Sequence, residues 1–125
     1  MPKLLTSFLL RWGVSVLGLW VAEALLGQDR LYLGGSLATL LIAGLLLALI
    51  NMLVKPFLIF LSLPFILITL GLFMLVVNGL MVLIVSWLYD PVEISSFWTA
   101  LVAGIIIGLV NYLVSFIVKD LAKEK

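Results

Sequence analysis

Three long stretches of this chain carry no charge: Leu31 to Val54, Pro56 to Tyr89 and Ile94 to Val118. That feature constrains the fold more than any motif does. A helix needs ~20 consecutive apolar residues to cross the hydrocarbon of a bilayer. The first and last runs each hold one such span. The middle run has 34 residues, too many for one straight span, so part of it lies outside the membrane core. Composition points the same way. Of 125 residues, 66% are hydrophobic and 10% charged, where a soluble domain carries about 25% charge. So apolar a chain has too little polar surface to cover itself in water, and lipid is its solvent.

The prolines divide the middle run. Pro56 disfavours helical geometry at Lys55, so the incoming helix is expected to end there. Pro64 suits the first turn of a following helix. Between them "PFLIFLSL", 56–63, reads as a short interfacial or re-entrant connector. At the N-terminal end, "LLTSFLLRWGVSVLGLWVAEALLG" carries Arg11 near one end and Glu23 near the other. Ala22-Glu23-Ala24 has the form of a signal-peptidase site, but Arg11 would then fall inside the apolar core of the signal. A first transmembrane helix is the better reading, with Arg11 and Glu23 snorkelling to opposite interfaces and Trp12 in an aromatic belt.

The expected architecture is therefore all-α: one polytopic membrane domain, 1–125, with helices at about 5–27, 34–54, 65–88 and 96–118 and a short basic tail, 119–125. With both termini on one side, that side holds Lys3, Arg11, Lys55, Lys119, Lys123 and Lys125. The other side holds Arg30 together with Glu23, Asp29, Asp90 and Glu93. The excess of bases marks the first side as cytoplasmic. Lys55, Pro56 and Pro64 then form a cytoplasmic turn, with Lys55 at the headgroups, and both termini are expected inside.

The chain also repeats itself. "SLATLLIAGLLLALINMLV" (36–54) aligns without gaps on "SFWTALVAGIIIGLVNYLV" (96–114), with nine of 19 positions identical. The repeated unit is a helical hairpin. Two crossings return the chain to the same side, so the copies are tandem and parallel, related by an axis along the membrane normal. "LYL" and "VEI", at equivalent external turns, read as brief extended pieces.

Gly104, Gly108 and Asn111 share one helix face, and Gly44, Ala48 and Asn51 repeat it. Small residues at this spacing let backbones approach, and an Asn bonds across the seam. Helix packing is the favoured reading, with a polar lining for a permeation path as the alternative. Asn51 and Asn111 are expected to face the bundle interior. Asn78 lies mid-helix, where an unpaired amide is costly, with Gly71 seven residues before it on the same face. Ser7, Arg11, Ser15, Gly18 and Ala22 form an inward stripe on helix one. Glu23 is read as an interfacial carboxylate rather than a protonatable group.

No His and no Cys occur, which removes thiol chemistry and the usual borderline metal ligands. No phosphate loop, paired carboxylates or activated nucleophile is visible. Asp29, Asp90 and Glu93 form at most a weak cation site, and a solvated acidic rim is preferred. No enzyme activity, cofactor, metal, nucleic-acid partner or small-molecule substrate is expected. The lipid bilayer is the evident partner.

One block of residues resembles a known family. Asn51, Lys55, Pro56, Leu61, Leu63, Pro64 and Thr69 to Phe73, spaced N-x-x-x-K-P-x-x-x-x-L-x-L-P-x-x-x-x-T-L-G-L-F, are similar to the hallmark of phage holin superfamily IV, the mycobacterial-type four-helix holins. "FWTA…G…VN", Phe97 to Asn111, fits as well, and the likeness runs from about Phe8 to Phe116. It implies a small bacterial membrane protein that self-associates and forms a pore. Two other readings stand beside it: a structural or accessory subunit of a larger membrane complex or of envelope maintenance, and, more remotely, a small transporter.

Overall fold

The computed structural model describes residues 2–123. Helix α1 spans Pro2–Leu26, strand β1 Leu31–Leu33, α2 Leu37–Leu53, α3 Lys55–Ile68, α4 Phe73–Leu88, β2 Val92–Ile94 and α5 Phe97–Lys123. Four helices close a ring: α1 packs on α2 and α5, and α4 packs on α5 and α2. Helix α3 leans on α2 and α4 from outside.

Local chemistry sets the element ends. Ser36 caps α2: the Thr39 N–H donates to Ser36 Oγ at 3.2 Å, and the Ser36 N–H donates to Thr39 Oγ1 at 3.3 Å. This is a capping box with Thr in the reciprocal position. Helix α5 opens with the first of these two bonds, the Thr99 N–H donating to Ser96 Oγ at 3.2 Å. Just before these caps, the two extended pieces pair as one antiparallel ribbon. Its register is Leu31↔Ile94, Tyr32↔Glu93 and Leu33↔Val92.

The ribbon closes one end of the bundle. Leu31, Leu33 and Val92 turn inward and join Leu19, Ala22, Ala43, Met81, Val82, Val85 and Ala103 in a single buried core. Glycines bring the helices of this core together. A Cβ on Gly44 would meet the Val16 backbone of α1, its Cα and N both at 3.1 Å. A Cβ on Gly104 would meet the α4 backbone at Asn78 C and Gly79 Cα, each at 2.8 Å.

The middle of the chain departs from the expectation. The connector expected over 56–63 is itself helical and longer, because residues 55–68 are one continuous helix bent by 58° from α2. Val54 is the joint. Its N–H donates to Ile50 O and closes α2, while its carbonyl accepts from the Phe57 and Leu58 N–H groups and opens α3. Pro56 occupies the first turn of α3, where the N–H it lacks has no helical partner to lose. Pro64 lies inside α3 and does not start the next helix. An interior proline removes one helical hydrogen bond, and the rest of α3 carries the turn through it.

The reversal comes later, at Thr69 to Leu72. The Gly71 N–H reaches back to Ile66 O at 2.8 Å and the Leu70 N–H to Leu67 O at 3.2 Å. This is a Schellman closure with Leu70 at φ 58° and Gly71 at φ 94°. Gly71 therefore sits in the turn and shares no helix face with Asn78. The helix expected to begin at 65 begins at Phe73, and Phe65 and Phe73 stack across the turn at 5.6 Å.

Two helices, over Lys3–Leu26 and Phe97–Asp120, are long and apolar enough to cross a bilayer alone. Helices α2 and α3 meet that test only together, across their bend, and α4 has 16 residues. At 1.5 Å per residue α4 is ~24 Å long, against a hydrocarbon thickness of ~30 Å.

Candidate functional site

The ring of helices is tight at the ribbon end and open at the other. There it encloses a cavity of about 490 Å³. The first half of α1 and the last part of α5 form two walls, and α2, the start of α3 and α4 form the rest. The apolar side comes from residues such as Leu10, Val14, Val114 and Val118. The polar side comes from Arg11, Ser15, Asn51, Lys55, Asn78, Asn111, Ser115 and Lys119. Among the described residues no carboxylate lines it.

Lys55 is the main surprise. The expected headgroup anchor turns inward instead. Its Nζ donates to Asn78 Oδ1 at 2.6 Å, in a partly buried contact. A short N⁺–H···O bond of this kind is charge-assisted and stronger than a neutral one. It also fixes the amide: with Oδ1 on the ammonium, Nδ2 faces the opposite way, and a Cβ on Gly108 would lie 3.1 Å from that nitrogen. Gly108 thus leaves the room on α5 that the Asn78 side chain uses. The bend at Val54 is what makes this reach possible, since it brings the first residue of α3 beneath α4.

The other singled-out residues divide between this cavity and the seams. Asn51 and Asn111 line the same cavity from α2 and α5. Ala48 and Gly108 line it one turn deeper. Gly44 and Gly104 lie at the close helix contacts above it. Arg11 lines the mouth from α1 and Ser15 lies further in, nearly buried. Pro56 and Pro64 are exposed on α3 and take no part.

At the ribbon end, Glu23 does not simply extend to water. Its Oε2 accepts the Leu33 N–H at 3.0 Å and ties β1 to α1. Trp12 likewise points at a neighbour, its Nε1–H donating to Leu41 O of α2 at 2.9 Å. Among the described residues no group of three or more acids is gathered as a metal site, so Asp29, Asp90 and Glu93 do not assemble one.

Sequence reasoning placed Lys119 in a basic tail and passed over Ser115. The signal was present. Gly104, Gly108, Asn111, Ser115 and Lys119 continue one stripe at spacings of three and four. That stripe was followed only as far as Asn111.

The cavity stops part-way. Beyond Ser15, Leu47, Met81 and Ile107 the interior is filled by the buried core, and the ribbon covers its far end. The site is a one-ended basic vestibule in a helical bundle, a form suited to a membrane and not to water. No curated protein and no solved structure matches the chain significantly. A family model does, over residues 6–122, and it describes a mycobacterial phage holin of four transmembrane segments, superfamily IV. That match covers nearly the whole described chain, vestibule and ribbon included, and the protein is a membrane protein belonging to this phage holin family.

Proposed function

We propose that the protein is a holin-like component of a bacterial inner membrane, crossing it four times, and that it conducts only as an assembly of several copies. The observation that carries this reading is the vestibule. It carries polar and basic groups on one side, is wide enough for water and opens at one end, yet a packed apolar core stops it half-way. One chain therefore holds half a path. A complete path requires copies arranged around a shared opening, or displacement of the core.

The four spans are two tandem parallel hairpins, α1–α2 and α4–α5. Several matched features support the duplication: the Ser36/Thr39 and Ser96/Thr99 caps, the glycine contacts at Gly44 and Gly104, and the paired ribbon between equivalent turns. The start of α1 and the end of α5 lie at the vestibule end, and the excess of bases there supports a cytoplasmic side. The work is done without catalysis, and the family is not one of enzymes.

The test is release of a trapped dye from liposomes carrying the purified protein. Release should rise steeply, faster than linearly, with protein-to-lipid ratio. Vesicles that stay sealed at high ratios, with the protein correctly inserted, would exclude a pore. One observation favours a second reading, that of an accessory subunit. Helix α3 has no buried residue and exposes Phe57, Phe60, Leu61 and Phe65. Co-purification of a stoichiometric, different membrane protein would support that reading.

A further inference from the structure

The vestibule has a chemical sign. Arg11, Lys55 and Lys119 reach it from three different helices, and among the described residues no acid lines it with them. Its amides are biased the same way. Lys55 occupies the Asn78 oxygen, so the Asn78 Nδ2–H₂ remains as a donor. Asn51 and Asn111 add further amide donors, and Ser15 and Ser115 add hydroxyls. Like charges gathered at the edge of a low-dielectric body repel one another, and a bound anion offsets that cost.

We propose that the vestibule binds a phosphate-bearing anion. Arg11 matches two phosphate oxygens with its planar fork, while Lys55 and Lys119 act as point charges. Lys55 retains two N–H groups after donating to Asn78. The volume of about 490 Å³ is generous for a simple halide and suits a phosphoester with an organic stem. The apolar wall of Leu10, Val14, Val114 and Val118 gives that stem a surface. Basic pockets between transmembrane helices commonly take anionic headgroups on the cytoplasmic side. Two sources offer the same chemistry: the headgroup of an anionic phospholipid, entering from the membrane, and a free phosphate compound, entering from water. The plain alternative is that the bases are ordinary interfacial charges, attracting anions diffusely.

This inference concerns occupancy and not conduction, so sealed vesicles in the dye experiment leave it untouched. It is tested on the full chain purified in neutral detergent. Native mass spectrometry counts bound phosphatidylglycerol and phosphatidylethanolamine, and thermal melting is followed in inorganic phosphate and in chloride at equal ionic strength. Retention of one phosphatidylglycerol, with little phosphatidylethanolamine, identifies the lipid source. A rise in melting temperature specific to phosphate, without lipid retention, identifies the aqueous source.

Arg11→Gln and Lys55→Met should each weaken binding by about tenfold or more, whereas Lys3→Gln, at the same end but outside the cavity, should not. Asn111→Leu removes a donor from an exposed position without changing charge, and it should weaken binding even if Lys55→Met fails to fold. Equal retention of both lipids together with identical melting in phosphate and chloride overturns the proposal. So does an equal effect of Lys3→Gln and the vestibule variants.

Discussion

Gly104 shows how much one hydrogen atom decides. The atoms that a Cβ there would strike belong to the α4 backbone, and a backbone inside a packed hairpin has nowhere to go. At Gly44 the nearest contact is a Val16 methyl, with the backbone behind it at 3.1 Å. Gly104→Ala should therefore destabilise by more than Gly44→Ala, within the usual overpacking cost of ~1–3 kcal/mol. Unfolding in mixed micelles would measure both, and a reversed order would contradict the contact geometry. Glu23 makes a different point. Glu23→Gln keeps an oxygen for the Leu33 N–H, whereas Glu23→Ala leaves that donor without its charge-assisted partner, a loss of ~1.5–3 kcal/mol. Hydrogen exchange at the Leu33 amide should accelerate strongly in the alanine variant and little in the glutamine variant. Leu70 holds φ 58° while almost wholly exposed. Leu70→Gly should relieve ~1 kcal/mol of backbone strain, readable as a higher melting temperature.

Among the elements, α3 separates what the sequence discloses from what it conceals. The helices around it were legible because their apolar runs are long and bounded by charges, and the repeat placed Asn51 and Asn111 at matching heights. The two extended pieces were legible in "LYL" and "VEI", but their pairing into one ribbon was not. The path of residues 55–68 was not. Two prolines eight apart look like two breaks, but a first-turn proline is free of cost and an interior one is tolerated when packing or lipid holds the remaining turns. The true break, at Leu70-Gly71, carries one glycine among apolar residues and no charge. The direction of Lys55 was equally hidden. A long side chain at a helix junction reaches outward or inward with equal ease, and its partner Asn78 is 23 residues away. The Lys55–Asn78 pair should prove coupled. A double-mutant cycle with Lys55→Met and Asn78→Leu should give an interaction of ~0.6–2 kcal/mol, the scale of polar contacts within membranes. Simple additivity would show that the bond contributes nothing net.

The whole molecule is uneven from end to end. One end has packed aliphatic side chains, glycine contacts and a hydrogen-bonded ribbon. The other has a cavity, an excess of basic residues and the projecting α3. Charge counting along the chain separated a basic end from an acidic one, but not that three bases line one space, because the place of Lys55 beside Arg11 and Lys119 depends on the helix bend at Val54.

The ribbon gives this unevenness a mechanical meaning. Strands β1 and β2 come from opposite hairpins and lock to each other through main-chain hydrogen bonds, with Tyr32 facing Glu93 at the centre. The two halves are thus pinned together at one extremity, like the arms of tweezers. The opposite extremity is joined differently, by α3 running from one half to the other and by the Lys55–Asn78 bond beside the vestibule. A spreading of the halves about the ribbon would enlarge the vestibule while leaving the strand pairing intact, and that side-chain bond is what it would have to stretch.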